Sequence, residues 1–202
     1  MNNKMVEKYK EIIRDGQGTL VIIFINLIVF IALNIIPSLG AKLLLNHEIS
    51  LILEKPWTLV TVFFSHQVLI HIILNMGLFL YFGSRLEKIT NAKTVVMVYL
   101  IAGLMGSLAF PFNGLIIERT GLIAGASAAV MGVVSAFAVM RPSTVILKSK
   151  AMWWVLALIV FSVFSAILIP QALDSGVAHL TGIFVGLISG YYIKNKENIK
   201  SK

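Results

Sequence analysis

Apolar residues come in six long blocks separated by short polar breaks, and this rhythm dominates the chain. The blocks run over 20–36, 68–86, 94–110, 121–140, 152–169 and 177–193, each near the roughly 20 residues a helix needs to cross a bilayer. Turn and charge signals bound them: Pro37 to Gly40 after the first, Pro111 after the third, Arg141-Pro142 after the fourth and Pro170 after the fifth. Between the first two blocks lies a long connection, 41–67, interrupted by His47, Glu48, Glu54, Lys55 and Pro56. It is too polar to span and too apolar to float free, which predicts an interfacial or partly embedded segment. The pattern predicts an all-α polytopic membrane protein: a six-transmembrane-helix bundle with an outer, partly membrane-embedded first loop.

Composition agrees. Hydrophobic residues make up 58% of the chain and mean hydropathy is +0.91, against the roughly 45–50% apolar content of soluble domains. The chain has no cysteine, which excludes disulfides, thiol nucleophiles and thiolate metal sites. The net charge of +8 does not mark a nucleic-acid binder, because the basic residues sit between the apolar blocks instead of forming one patch. With the N-terminus inside, fourteen of the seventeen Lys and Arg fall on inner segments, leaving Lys42, Lys55 and Arg119 outside. Such a bias predicts a multi-pass protein of the cell membrane with both termini cytoplasmic. The expected organisation is a cytoplasmic N-terminal tail over 1–18, a membrane domain over 19–194 and a basic cytoplasmic tail over 195–202. The tail 1–18 reads as a short surface helix or a mobile segment. No small-residue cleavage site clearly follows the first block, so it reads as a retained span.

Polar groups inside the blocks carry the chemistry. The fourth block contains GLIAGASAAVMG (121–132), a run of small residues around one hydroxyl, Ser127. Entered from outside, that block places Ser127 about six residues deep, or roughly 9 Å at 1.5 Å per residue. His179 falls in the first turn of the sixth block, and His71 and Asn75 in the first two turns of the second, all entered from the same side. Four polar groups from three spans at one depth predict a shared site. His179, Gly182, Gly186 and Gly190 form one stripe of a helix. Ala128, Gly132 and Ser135 offer a matching spacing in the fourth block, and close contact between the two stripes would bring His179 beside Ser127.

A serine with an imidazole in reach can attack a carbonyl, the imidazole taking and later returning a proton. An Asn amide, a neutral His N–H and backbone N–H groups at a helix N-terminus can hold the developing oxyanion. No carboxylate falls within a span at this depth, which predicts a Ser–His dyad without an acidic third member.

These residues resemble the motifs of rhomboid intramembrane serine proteases. Gly125-Ala126-Ser127-Ala128 with Gly132 resembles the family's active-site serine motif, and His66-x4-His71-x3-Asn75 its second-span signature. Tyr81 to Glu87, YFGSRLE, resembles the end of that span, and Ala178-His179-Leu180-Thr181-Gly182 with Gly186 resembles the catalytic-histidine span. The resemblance covers roughly 57–191. It implies a rhomboid-like bundle in which Ser127 is the nucleophile and His179 the base. By the same resemblance His71, Asn75 and the Ser127 amide would stabilise the oxyanion, while Gly125, Met131, Gly182 and Gly186 would shape the site. Transmembrane protein substrates cleaved near the outer face, a lipid bilayer, and no cofactor, metal or nucleic acid are implied. Three departures concern efficiency: Ala128 stands where the family commonly has Gly, Thr58 follows Trp57 where Arg is frequent, and Met131 replaces an aromatic that stacks on the histidine.

Two other readings have distinct signatures. A catalytically inactive rhomboid-like module binding membrane proteins would have no need of Ser127, His179, His71 and Asn75 together. A metal or solute transporter using His66, His71 and His179 would lack the carboxylates and thiolates that usually complete such a set. No HExxH occurs, which excludes that class of metalloprotease. His47 and His66 read as interfacial or structural residues, with His66 a hydrogen bonder holding the outer loop.

Overall fold

The computed structural model describes residues 16–111, 121–169 and 172–200, with side chains to 196. Most of the expected tail 1–18, the loop residues Glu118 and Arg119, and Pro170 and Gln171 lie outside the described residues. Among the described residues there are six principal helices: α1 (Gln17–Ile35), α2 (Leu69–Ile89), α3 (Ala92–Ala109), α4 (Ser127–Met140), α5 (Ala151–Leu168) and α6 (Leu173–Lys200). Five of them are long and apolar enough to cross a membrane, α6 through its part Leu173–Lys196. Large apolar side chains cover the outside, among them Phe24, Ile35, Phe161, Ile167 and Phe184. This is a multi-pass membrane protein, whose exterior is apolar because lipid, not water, surrounds it.

The fourth helix departs from expectation. Block 121–140 predicts a full span, but α4 begins at Ser127 and its 14 residues rise only about 21 Å. Residues ahead of it run extended, with Gly121 at φ +121° and Gly125 at φ +151°, backbone that only glycine adopts without strain. Strand β2 (Leu122–Ile123) pairs antiparallel with β1 (Leu45–Asn46) of the first loop, so its backbone groups are satisfied without a helix. A second short pair, β3 (Val145–Ile146) and β4 (Ser149–Lys150), forms the α4–α5 turn.

Helix α4 is the centre of the bundle, with every residue buried except Ser127 and Val139. Its small residues admit two neighbours at backbone distance. A methyl on Gly182 would collide with the Ala128 carbonyl, and one on Gly186 with the Gly132 carbonyl. One on Gly190 would come within 2.6 Å of the Ala136 oxygen. The third partner is thus Ala136, not the Ser135 expected from sequence, because the four-residue ridge continues on both helices. Rising together along both chains, these contacts show α4 and α6 to be parallel. At the same seam, α3 seats Gly106 against Ala128 and the Ala178 carbonyl, and Ala102 against Gly132.

Polar clasps hold the periphery. Glu87, buried in the last turns of α2, accepts the Gly18 and Thr19 amides at 2.8 and 2.9 Å and the Thr19 hydroxyl at 2.8 Å. It thereby caps α1, whose own N-cap, Gly16, makes no side-chain bond. Tyr99 of α3, wholly buried, donates to the Phe63 carbonyl at 2.7 Å and accepts from Asn26 of α1 at 3.2 Å.

The first loop folds into short helical pieces, Gly40–Leu43, Ile49–Glu54 and Thr58–Thr61, around β1. Three consecutive carbonyls receive side-chain donors: Ala41 from Lys55 at 3.1 Å, Lys42 from the Trp57 indole at 2.8 Å and Leu43 from Thr61 at 2.6 Å. The loop is thus held without an arginine after Trp57, while Thr58 bonds its own turn through the Lys55 carbonyl at 2.7 Å. Leu53, Trp57 and Val60 stay exposed, the apolar face of a segment lying against lipid.

Candidate active site

The backbone arrangement sets the chemistry. Because α4 and α6 run parallel in contact, the N-terminal end of α4 lies beside the early turns of α6, which starts about two turns before it. Ser127 is the first residue of α4, one position before the Ala128–Gly182 contact, and His179 sits three positions before it on α6. Ser127 Oγ and His179 Nε2 lie 2.7 Å apart. Both residues are half-buried, so the pair is reachable from outside the bundle.

Two sequence expectations about depth need correction. Ser127 is not a full turn inside a spanning helix but opens a short one. Burial rises from exposed Gly121 and Leu122 to wholly buried Ala126, so the extended strand carries the chain inward to the serine. His179 lies in the second turn of α6 and not the first, because the helix already starts at Leu173. Asp174, expected in a loop, occupies that first turn, where a carboxylate favours the helix N-terminus.

The other expected residues gather on the same side. His71, in the first turn of α2, lies against Gly125: a methyl there would sit 2.7 Å from its Cε1. Gly125 is therefore required twice over, by its positive φ and by the imidazole in the space a side chain would need. The Asn75 amide donates to the His71 carbonyl at 3.0 Å, which leaves its second N–H uncommitted by that bond. As the first residue of α4, Ser127 has an amide with no helical acceptor of its own. Met131 is buried one turn further along α4, and Gly182 and Gly186 form the contacts described above.

His66 differs from expectation. It is wholly buried, and neither ring nitrogen finds a partner among the described residues. Its ring meets that of His71 edge-on, with centroids 5.1 Å apart. Burial first, and the neighbouring His71 second, hold its pKa down to about 3, so the ring is neutral. It packs as an uncharged aromatic instead of bonding the loop.

Two features went unread in the sequence. His47, also expected at the interface, is buried between three elements. Its Nδ1 lies 3.1 Å from the Gly121 carbonyl, its Nε2 3.1 Å from an Asp174 oxygen, and its ring packs tilted against Phe110 with centroids 4.3 Å apart. It thus ties the first loop to the residue before β2, to the C-cap of α3 and to the first turn of α6. Ser162 of α5 is wholly buried with its Oγ 3.4 Å from His179 Nδ1. A hydroxyl within an apolar span was the available signal, but Ser165 offers a second one, and the partner on α6 is not legible from spacing.

A family model, the Rhomboid domain, matches residues 53–196. The chain belongs to the rhomboid family. The match takes in the serine helix, both histidine-bearing spans and the donor residues of the first-loop clasp, while α1 lies ahead of it. Over 141 residues the chain is 28% identical to RHOMBOID-like protein 6, mitochondrial, of Arabidopsis thaliana, covering 69% of this chain and 44% of that protein. Over 63 residues it is 33% identical to Inactive RHOMBOID-like protein 8 of the same organism, covering 31% of this chain and 16% of that one. The matched stretch spans less than half the length of either rhomboid relative.

Proposed function

We propose that this rhomboid is an intramembrane serine endopeptidase that cleaves transmembrane segments of membrane proteins near the outer face. The carrying observation is the 2.7 Å contact between Ser127 Oγ and His179 Nε2 at a half-buried position. In this reading Ser127 attacks the scissile carbonyl while His179 takes its proton, forming a tetrahedral oxyanion that collapses to an ester of Ser127 when the C–N bond breaks. The imidazolium then protonates the departing amine, and a water activated by the same ring hydrolyses the ester. The Ser127 amide, the Asn75 amide and the His71 ring provide donors for the oxyanion. Substrates are transmembrane segments that unwind easily, since a helix hides its carbonyls in hydrogen bonds.

The charge bias over inner segments favours a cell-membrane orientation with 1–18 and 195–202 cytoplasmic and the membrane domain over 19–194. The second reading is a catalytically inactive rhomboid that binds membrane proteins. It is favoured by the matched relative whose name includes "Inactive". An activated-serine probe separates the two: covalent labelling of wild type and none of Ser127→Ala is expected, and no labelling of folded wild type would favour the binding module.

A further inference from the structure

Helix α5 is largely lipid-facing, yet Ser162 is wholly buried on its inner face. It reaches α6 because Gly176 lies directly opposite: a methyl there would come 3.1 Å from the Ser162 carbonyl and 2.9 Å from Ala166. The close approach falls one turn before His179. Ser162 Oγ lies 2.7 Å from the Leu158 carbonyl and 3.4 Å from His179 Nδ1. The Leu158 carbonyl can only accept, so the single hydroxyl proton of Ser162 is donated there. Its lone pairs then face Nδ1, which must carry a proton to bond them.

We infer that Ser162 is a positioning residue for the base, fixing His179 as the Nδ1–H tautomer with its Nε2 lone pair directed at Ser127. The inference rests on the proteolytic reading for its kinetic consequence but not for the tautomer itself. Each polar atom along the line from Ser127 through His179 and Ser162 to the Leu158 carbonyl has one consistent role. At 3.4 Å the Nδ1–H bond is weak in the resting ring. It strengthens when His179 takes the serine proton, because charge-assisted bonds are shorter and stronger. The contribution is thus larger in the transition state than in the ground state, which is what raises turnover. A neutral hydroxyl supplies the orientation that a carboxylate supplies in a three-membered site.

The test is nitrogen NMR of histidine-labelled protein in nanodiscs, with the His179 signals assigned by their loss in His179→Gln. Wild type and Ser162→Thr are expected to hold the Nδ1–H form, and Ser162→Ala to show a mixture of tautomers. Wild-type His179 protonated on Nε2, or the same tautomer population in Ser162→Ala, would overturn the inference whether or not the protein cleaves anything. In the kinetic arm, Ser162→Ala should lower kcat by roughly 10–100-fold, part of the 10²–10⁴ that a general base supplies, with KM little changed and activity restored in Ser162→Thr. Unchanged kcat in Ser162→Ala would also overturn it. Failure of the proteolytic reading is read separately, from cleavage by Ser127→Ala.

Discussion

Gly182 has no room for a side chain because its α carbon rides on the carbonyl of Ala128, the residue next to Ser127. This backbone contact fixes the level of His179 relative to the serine. Adding a side chain to such an interface commonly costs about 1–3 kcal/mol by forcing the backbones apart. Gly182→Val is expected to lower the melting temperature and reduce cleavage far below wild type, although Gly182 bears no reactive group. Wild-type turnover in this variant would show that the contact does not set the Ser127–His179 distance.

The donors beside the serine predict a graded loss. Removing one oxyanion donor typically costs on the order of 10²–10³ in turnover. Asn75→Ala should be impaired but measurable, since the Ser127 amide and His71 remain, and His71→Ala should behave similarly. Steady-state kinetics on a single-span substrate decides the point: full activity in both variants removes them from the mechanism.

His47 joins four elements through one ring, so its loss is expected to act on stability. Truncation leaves the buried Asp174 carboxylate short of a contact, and an under-bonded buried group costs about 1–3 kcal/mol. His47→Ala should unfold at a lower temperature than wild type and loosen β1 from β2, read as faster amide exchange at Leu122 and Ile123. An unchanged melting temperature would mean that the contact contributes nothing net.

Orientation can be read directly because the chain contains no cysteine. Glu54 and Lys148 are both exposed, in the first loop and the α4–α5 turn. In intact cells Glu54→Cys should react with an impermeant thiol reagent, and Lys148→Cys should react only after permeabilisation. The opposite pattern would invert the proposed topology.

What the sequence disclosed, and what it hid, follows from the range of each signal. Apolar block length and bounding prolines announced five of the six principal helices, because lipid demands a long uninterrupted run. Block 121–140 misled: hydropathy cannot distinguish a helix from an apolar strand, and the glycines at 121 and 125, whose positive φ delays the start of α4 to Ser127, were read as part of a run of small residues with Gly125 shaping the site. The stripe Gly182, Gly186 and Gly190 was legible because a four-residue period is local. Its third partner was misassigned to Ser135, since choosing between adjacent ridges depends on how two helices are rotated. The His47–Asp174 and His179–Ser162 contacts were hidden for the same reason: spacing along one chain segment says nothing about which distant residue stands opposite.

The dyad is the central claim. Residues that act as one unit lose nearly everything when either is removed, and little more when both are. Ser127→Ala, His179→Ala and the double variant should therefore all cleave a single-span substrate at background rate in detergent. Each should stay folded, because both side chains are half-buried at the open end of the bundle. The most direct measurement is cleavage of that substrate by purified wild type beside Ser127→Ala, with thermal unfolding of both. Cleavage by wild type alone, at matched stability, is the predicted result; equal cleavage by folded Ser127→Ala, or none by folded wild type, would contradict the serine-protease account.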